Sequence, residues 1–445
     1  MNRSTHTAGL TDRARAAAVR AVRHLTSALR TDGPILVLSL LLIALGCGLR
    51  VYHLDQPGHL TFDEHHFVKN ARNYLAGKPD WNDHPSLGKL LIAGAMWAIG
   101  DNGTGWRLTA LIFGLLSIAL GYAIGATLFR RPLAGWLAAA FIAADGFFIA
   151  YSRTALLDGL LAALMMASVL VMARAGSARA IAGAALLAGL ACSIKVSGIV
   201  LVLPLVLVLL LWRRAPWWSL VFLVLIPLVY YSQYALGFAL TGEPYGPVDT
   251  WNKTQQLVRH HLRMSSMTNP VSSRWYTWFF PTTPITLRAD YSDRLWVRMM
   301  TSMGNPLLWW AANLTVLGSA AAWLLVMIRR LRRTPGRSAL DAGAAGFVSG
   351  YPRVVFFLLA CWLAPVTPWI VTNRDSYVYH YLPSYGFALI LVAGLVAWVY
   401  RRRRRLALLA VLLVAEVTVY YAPVWSELPV TRQGIKDRLP FRGWR

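Results

Sequence analysis

Apolar runs of about 17–25 residues, separated by short polar breaks, recur along the whole chain. A helix of that length crosses the hydrocarbon layer of a bilayer. Eleven such runs are predicted, at 33–52, 106–129, 132–151, 154–174, 178–193, 196–212, 216–240, 304–328, 353–372, 377–400 and 404–422. Basic residues collect in every second connection: Arg130-Arg131, Arg174 to Arg179, Arg213-Arg214, Arg329 to Arg337 and Arg401 to Arg405. The N-terminal tail, with Arg13, Arg15, Arg20, Arg23 and Arg30, falls on the same side. An excess of Lys and Arg marks cytoplasmic loops, so this side is read as cytoplasmic.

The predicted layout is a cytoplasmic basic tail (1–32), a polytopic membrane domain (33–422) and an external C-terminal tail (423–445). Two connections are long, 53–105 and 241–303, and both fall outside. Within the first, Phe67, Ala71, Tyr74 and Leu75 recur at helical spacing. A second helix is predicted from Ser86, as its cap, to Gly100. Its fifteen or so residues are few for a crossing, so it is expected to lie flat at the interface. The first apolar run follows a basic tail and no small-residue cleavage pattern follows it, so it is expected to act as an uncleaved signal anchor.

Composition agrees. The 445 residues are 57% hydrophobic and only 14% charged, where soluble domains carry about a quarter. The net charge of +25 sits in short loops, which argues against nucleic acid as a partner. The three cysteines, Cys47, Cys192 and Cys361, have neither metal-ligand nor disulfide spacing.

Charges inside apolar segments are costly and usually functional or paired. Asp145, Arg153, Asp158, Lys195 and Glu416 each fall toward the external end of a predicted span. Arg107 and His380 begin spans at that face, and Asp63, Glu64, His84, Lys89 and Arg274 lie in the external loops. The duller readings are specific. Thr61 to Glu64 fits a capping box; Arg153 and Asp158 can pair with each other; Lys195 and Arg107 can snorkel. A metal site of His65, His66 and His84 lacks supporting spacing. Together the charges describe an outward-facing site of carboxylates and cations near the headgroups.

Cations suit a phosphate, and a carboxylate suits a hydroxyl that must lose its proton. The chain has no Gly-rich nucleotide loop. A polyprenyl-phosphate sugar, delivered within the membrane, fits both conditions. The acceptor hydroxyl would attack the anomeric carbon as Asp63 takes its proton, and the phosphate would leave against the cations. One displacement inverts the anomeric centre, and one base suffices where a glycosidase needs two carboxylates.

At these residues the chain resembles the protein O-mannosyltransferase family of the C-type glycosyltransferase superfamily. The likeness runs in order through Phe62 to Phe67, Asp83 to Leu91, Arg107 to Ala110, Ser152 to Asp158 and Ser193 to Gly198. It continues through Ser272 to Trp275, Met303 to Trp310 and Tyr379 to Pro383. Ser86 replaces the second proline of the family's HPPLGKLL segment, and the second long loop is too short for the β-trefoil domain of eukaryotic members.

The resemblance implies an all-α integral membrane fold of about eleven transmembrane helices, with two short interfacial helices in the first external loop. It implies an inverting transfer of mannose from a polyprenyl-phosphate donor to Ser/Thr hydroxyls of exported proteins, at the outer face of a bacterial cytoplasmic membrane. Asp63, with Glu64, takes the catalytic position, and Arg107 contacts the donor phosphate. Charge and position add Lys195, Arg153 and Arg274 to the phosphate contacts. His84, Lys89, Asp158, Tyr379 and His380 fall on the supporting or acceptor side. No cofactor is required, and a divalent cation beside the phosphate stays open. Membrane lipids and secretion machinery are the expected surroundings. A sister enzyme acting on lipid A or a cell-wall glycan is the alternative. A transporter would instead need discontinuous helices and a midplane site.

Overall fold

The computed structural model describes residues 32–80, 83–174, 177–212, 216–263, 269, 271–280, 283–332, 344–372 and 375–444. The basic tail before residue 32, Arg213-Arg214 and the basic stretch after 332 lie outside the described residues.

Helical segments occupy every predicted apolar run. Six are long and apolar enough to cross a bilayer: α1 (Asp32–Val51), α4 (Gly103–Phe129), Trp217–Thr241, Pro306–Arg329, Pro352–Val371 and Val378–Tyr400. A seventh forms if α5 (Pro132–Ala144) and α6 (Gly146–Ser152), bent by 65°, count as one span. Shorter apolar helices complete the set, among them α7 (Asp158–Ala173) and α8 (Ala178–Ile194). Length and composition alone thus support six or seven crossings among the described residues where the run count predicted eleven. α7 buries residues all round its circumference, as expected of a helix apolar on every side. The main core lies where α4, α5, α7 and α8 meet the helix Leu382–Tyr400.

The bend between α5 and α6 has a definite cause. Asp145 takes an extended backbone, and its Oδ1 accepts hydrogen bonds from the N–H groups of Phe147 and Phe148, capping α6. Its Oδ2 accepts from the Asn305 N–H at 2.9 Å and the Tyr385 hydroxyl at 2.8 Å. Asp145, grouped by sequence with the outward-facing charges, is a fully buried cap instead.

The first long loop forms the two predicted helices, α2 (Glu64–Leu75) and α3 (Ser86–Ile99). Ser86 does not cap α3. Its place is taken by Gln233, on the helix Leu225–Thr241, whose Oε1 accepts from the Ser86 and Leu87 N–H groups at 2.8 and 3.0 Å. Two of the four N–H groups that a helix start leaves open are satisfied this way.

A small sheet was not foreseen. β1 (Thr286–Asp290) pairs antiparallel with β2 (Trp296–Thr301), and β2 with β3 (Val430–Thr431). The segment read as a tail is therefore folded. Trp425 packs on α6, where Gly146 leaves it room, and joins Val297, Met299, Ile435 and Trp444 in a second apolar cluster. An irregularity between Thr286 and Arg288 breaks the alternation of β1, so Leu287 and Arg288 are buried in succession.

Candidate active site

The turn Thr61-Phe62-Asp63 leads into α2. Phe62 has φ = 49°, in the left-handed region that a bulky side chain adopts only under constraint. The constraint is Glu64, which is fully buried. Its Oε2 accepts from the Thr61 N–H and hydroxyl at 3.0 and 3.1 Å. Arg107 donates to both carboxylate oxygens, at 2.8 and 3.1 Å. The Ala155 N–H adds a bond at 3.0 Å and Arg288 one at 3.4 Å. Burial alone would raise the Glu64 pKa, but the Arg107 bond and the charges of Arg288 and Arg107 outweigh it and hold it below the ordinary value.

Two of the expected site residues are bonded to the protein itself. Glu64 is clamped on both oxygens and does not line the cavity that Asp63 faces. Arg107 is equally committed. Besides Glu64, it donates to the carbonyls of Leu54, Gln56, Pro57 and His59. Its guanidinium is fully buried and its donors are spent on the protein, leaving none for a donor phosphate.

Asp63 differs from its neighbour. It is half-buried and faces a cavity of about 350 Å³. Its carboxylate takes no hydrogen bond from the described residues. Burial raises its pKa above the ordinary carboxylate value, while His66 and Lys195 draw it back and Asp158 and Asp83 add to the rise. The same cavity is lined by Lys195, His84, Tyr379 and His380, together with Tyr377 and His261.

Each lining group is placed by a distinct element. Lys195 ends α8 in extended backbone, and its ammonium donates to both oxygens of Asp158, at the start of α7, at 2.8 and 2.9 Å. It also lies 5.2 Å from the centre of the Tyr379 ring. Asp158 therefore pairs with Lys195 and not with Arg153. His380 stacks on Trp369 at 3.6 Å, and its Nδ1 accepts from the Tyr377 N–H. His84 lies between Phe67 and His261. His261 lies in the last turn of the helix Pro247–Arg263, with its Nε2 2.9 Å from the Asp83 carbonyl.

Three other predicted residues are elsewhere. Lys89 is fully buried beside the site, paired with Asp80 and with Asp83 at 3.4 Å. Arg153 donates to the carbonyls of Leu49, Arg50 and Tyr52 and sits 3.5 Å from Glu427, facing another cavity. Arg274 is exposed and does not line the site, although Ser273 beside it is bonded in both directions to Ser376. Arg153 and Arg274 are thus not gathered with Lys195. Among the described residues no group of three or more His, Cys, Asp or Glu side chains has metal-binding geometry.

Sequence reasoning missed Arg288, Glu427, Gln233, Tyr377 and His261. His260-His261 stood at the end of an amphipathic helix pattern, a signal that was available. Arg288 gave none, since it meets Glu64 across 224 positions.

Three family models match successive parts of the chain. The C-terminal four-transmembrane region of protein O-mannosyltransferase matches residues 248–444. Two models of dolichyl-phosphate-mannose-protein mannosyltransferase match residues 83–234 and 40–110. The chain belongs to the protein O-mannosyltransferase family. It is 27% identical to a polyprenol-phosphate-mannose–protein mannosyltransferase of Mycobacterium tuberculosis, over 89% of each chain. A Mycolicibacterium smegmatis protein of the same name is 26% identical, over 73% of this chain and 78% of its own. The fold resembles that of a protein in the Saccharomyces cerevisiae O-mannosyltransferase Pmt1-Pmt2 complex, with a TM-score of 0.76, 13% identity and 92% of both chains covered. The family's members are multi-pass membrane proteins, and the apolar helices here agree.

Proposed function

We propose that this protein transfers mannose from a polyprenyl-phosphate donor to Ser/Thr hydroxyls of exported proteins. The mycobacterial relatives, named for that reaction and aligned over most of the chain, support the reading. The observation that carries the mechanism is one cavity faced by an unbonded carboxylate, Asp63, and a buried ammonium, Lys195.

In the proposed reaction the hydroxyl oxygen attacks the anomeric carbon and the bond from that carbon to the phosphate oxygen breaks. The hydroxyl proton passes to Asp63. The phosphate changes from a singly charged diester to a doubly charged monoester, so one negative charge develops where Lys195 faces it. Asp158 holds Lys195 in place through two hydrogen bonds. The raised pKa of Asp63 makes it a stronger base than an exposed aspartate. Attack on the face opposite the phosphate inverts the anomeric centre.

Topology completes the proposal. The basic loops support a cytoplasmic N-terminus and, in this proposal, a cavity at the outer face of the cytoplasmic membrane, where it would meet polypeptide leaving the secretion machinery. The test is a transfer assay with purified protein, polyprenyl-phosphate mannose and a Thr-containing peptide. Mannosylated peptide from wild type and none from Asp63→Asn is expected. Transfer to a glycolipid or glycan but not to peptide would replace the acceptor assignment.

A further inference from the structure

A second cavity, of about 640 Å³, lies across the turn that carries the proposed base. Thr61 lines this cavity, while Phe62 and Asp63 line the other, so one short turn divides the two. Its deep wall holds Arg153 and Arg288, both buried and both facing Glu427, at 3.5 and 2.9 Å. The Arg153 Nε is buried with no hydrogen-bond partner. At the rim, Arg298 is exposed on β2, opposite Asp290 in the ladder, and its side chain makes no hydrogen bond or ion pair among the described residues. His53 and the exposed Tyr291 stand beside it. The residues lining the cavity thus include three arginines and two carboxylates, Asp290 and Glu427, a surplus of positive charge.

The backbone supplies a second feature. Among the described residues β1 is an edge strand paired with β2 alone, and its exposed end, Ala289 and Asp290, lines the cavity. An exposed sheet edge beside aromatic and cationic side chains suits an extended polypeptide, which can add a strand there. We propose that this cavity is an acceptor subsite that takes an extended polypeptide with a carboxylate near the modified hydroxyl. The inference rests on the reading of a protein acceptor. An extended chain advances ~3.3–3.6 Å per residue, and Thr61 and Asp63 are two positions apart. The carboxylate therefore sits about two to four residues from the Ser or Thr that reaches Asp63.

The experiment uses the purified full-length protein, polyprenyl-phosphate mannose and three peptides with a single Thr. They differ only in carrying Glu, Gln or Lys three positions from it. The expected order of kcat/KM is Glu, then Gln, then Lys, with steps of ~2–5-fold as for exposed charge pairs. The differences lie in KM and shrink as salt rises. Arg298→Glu reverses the order and Arg298→Lys keeps it. Equal kcat/KM for all three peptides, or an order that survives Arg298→Glu, overturns the subsite and leaves the protein-acceptor reading standing. No transfer to any peptide, beside transfer to a glycolipid, overturns that reading and the subsite with it. If Arg298→Glu instead weakens retention of phosphatidylglycerol in mixed vesicles without changing the peptide order, the cavity takes a headgroup and the proposal falls.

Discussion

Adjacent carboxylates at 63 and 64 should respond in opposite ways to loss of charge. In Glu64→Gln the buried acceptor for two guanidinium groups becomes neutral, and its new NH2 faces donors already in place. Arg288 keeps a carboxylate, Glu427 at 2.9 Å. Arg107 does not, since its other acceptors are the carbonyls of Leu54, Gln56, Pro57 and His59. The unpaired buried charge therefore falls on Arg107, and removing one partner of such a pair costs about 3–5 kcal/mol of stability. Asp63→Asn removes a partly desolvated charge that no described residue bonds, so stability should hold or rise while transfer falls by ~10²–10⁴-fold. Thermal unfolding of the detergent-solubilised variants, followed by tryptophan fluorescence, measures the first effect, and the transfer assay measures the second. The double variant Glu64→Gln/Arg107→Gln adds an internal check. If the clamp is a coupled pair, it loses less than the sum of the single losses. A Glu64→Gln protein as stable as wild type but inactive, beside a destabilised Asp63→Asn, would refute the assignment and exchange the roles of the two residues.

Lys195→Met should lower kcat by ~10²–10³-fold, as for loss of one group stabilising developing negative charge, whereas Lys195→Arg should retain part of the rate; equal kcat in wild type and Lys195→Met would remove the ammonium from the mechanism. The acid limb of the kcat/KM profile should report the Asp63 carboxyl at a pKa above that of an exposed aspartate, because burial raises it; activity is present above that pKa and lost as pH falls through it, and an acid limb absent down to the ordinary aspartate range would contradict the assignment. Glu64 has the opposite sign: its depressed pKa contributes stability that is full above the unfolded value and lost as pH falls through the folded one, so acid unfolding of Glu64→Gln should be shallower than that of wild type. Gln233→Leu should cost about 1–3 kcal/mol by leaving the Ser86 and Leu87 N–H groups open, measured as a lower unfolding temperature with the pH profile of transfer unchanged.

What could be read from the sequence, and what could not, divides along one physical line. Apolar runs announce helices because burial in lipid or protein is a property of a segment, and every predicted run is helical. Whether a run crosses alone is not such a property: α7 and α8 are short, and their burial comes from neighbours. Asp63, Lys195, Tyr379 and His380 were legible as a set because each stands where an apolar segment meets a polar one at the same face. Arg107, Arg153 and Asp145 stand at the same kind of boundary, yet their hydrogen bonds go to the protein. A charge at a boundary can face a ligand or spend its donors and acceptors on the protein, and only distant partners decide which. For Arg107 the partners are four carbonyls of the preceding loop and Glu64; for Asp145 they are Asn305 and Tyr385. Arg288 is the sharpest case. It reads as an ordinary loop cation, yet the irregularity in β1 turns it inward to Thr61, Glu64 and Glu427, joining the second long loop and the C-terminal segment to the turn that aims Asp63. The proposed base is thus held by elements hundreds of residues apart, and the clamp around Glu64, more than the pair of acidic letters at 63 and 64, is what distinguishes the two carboxylates.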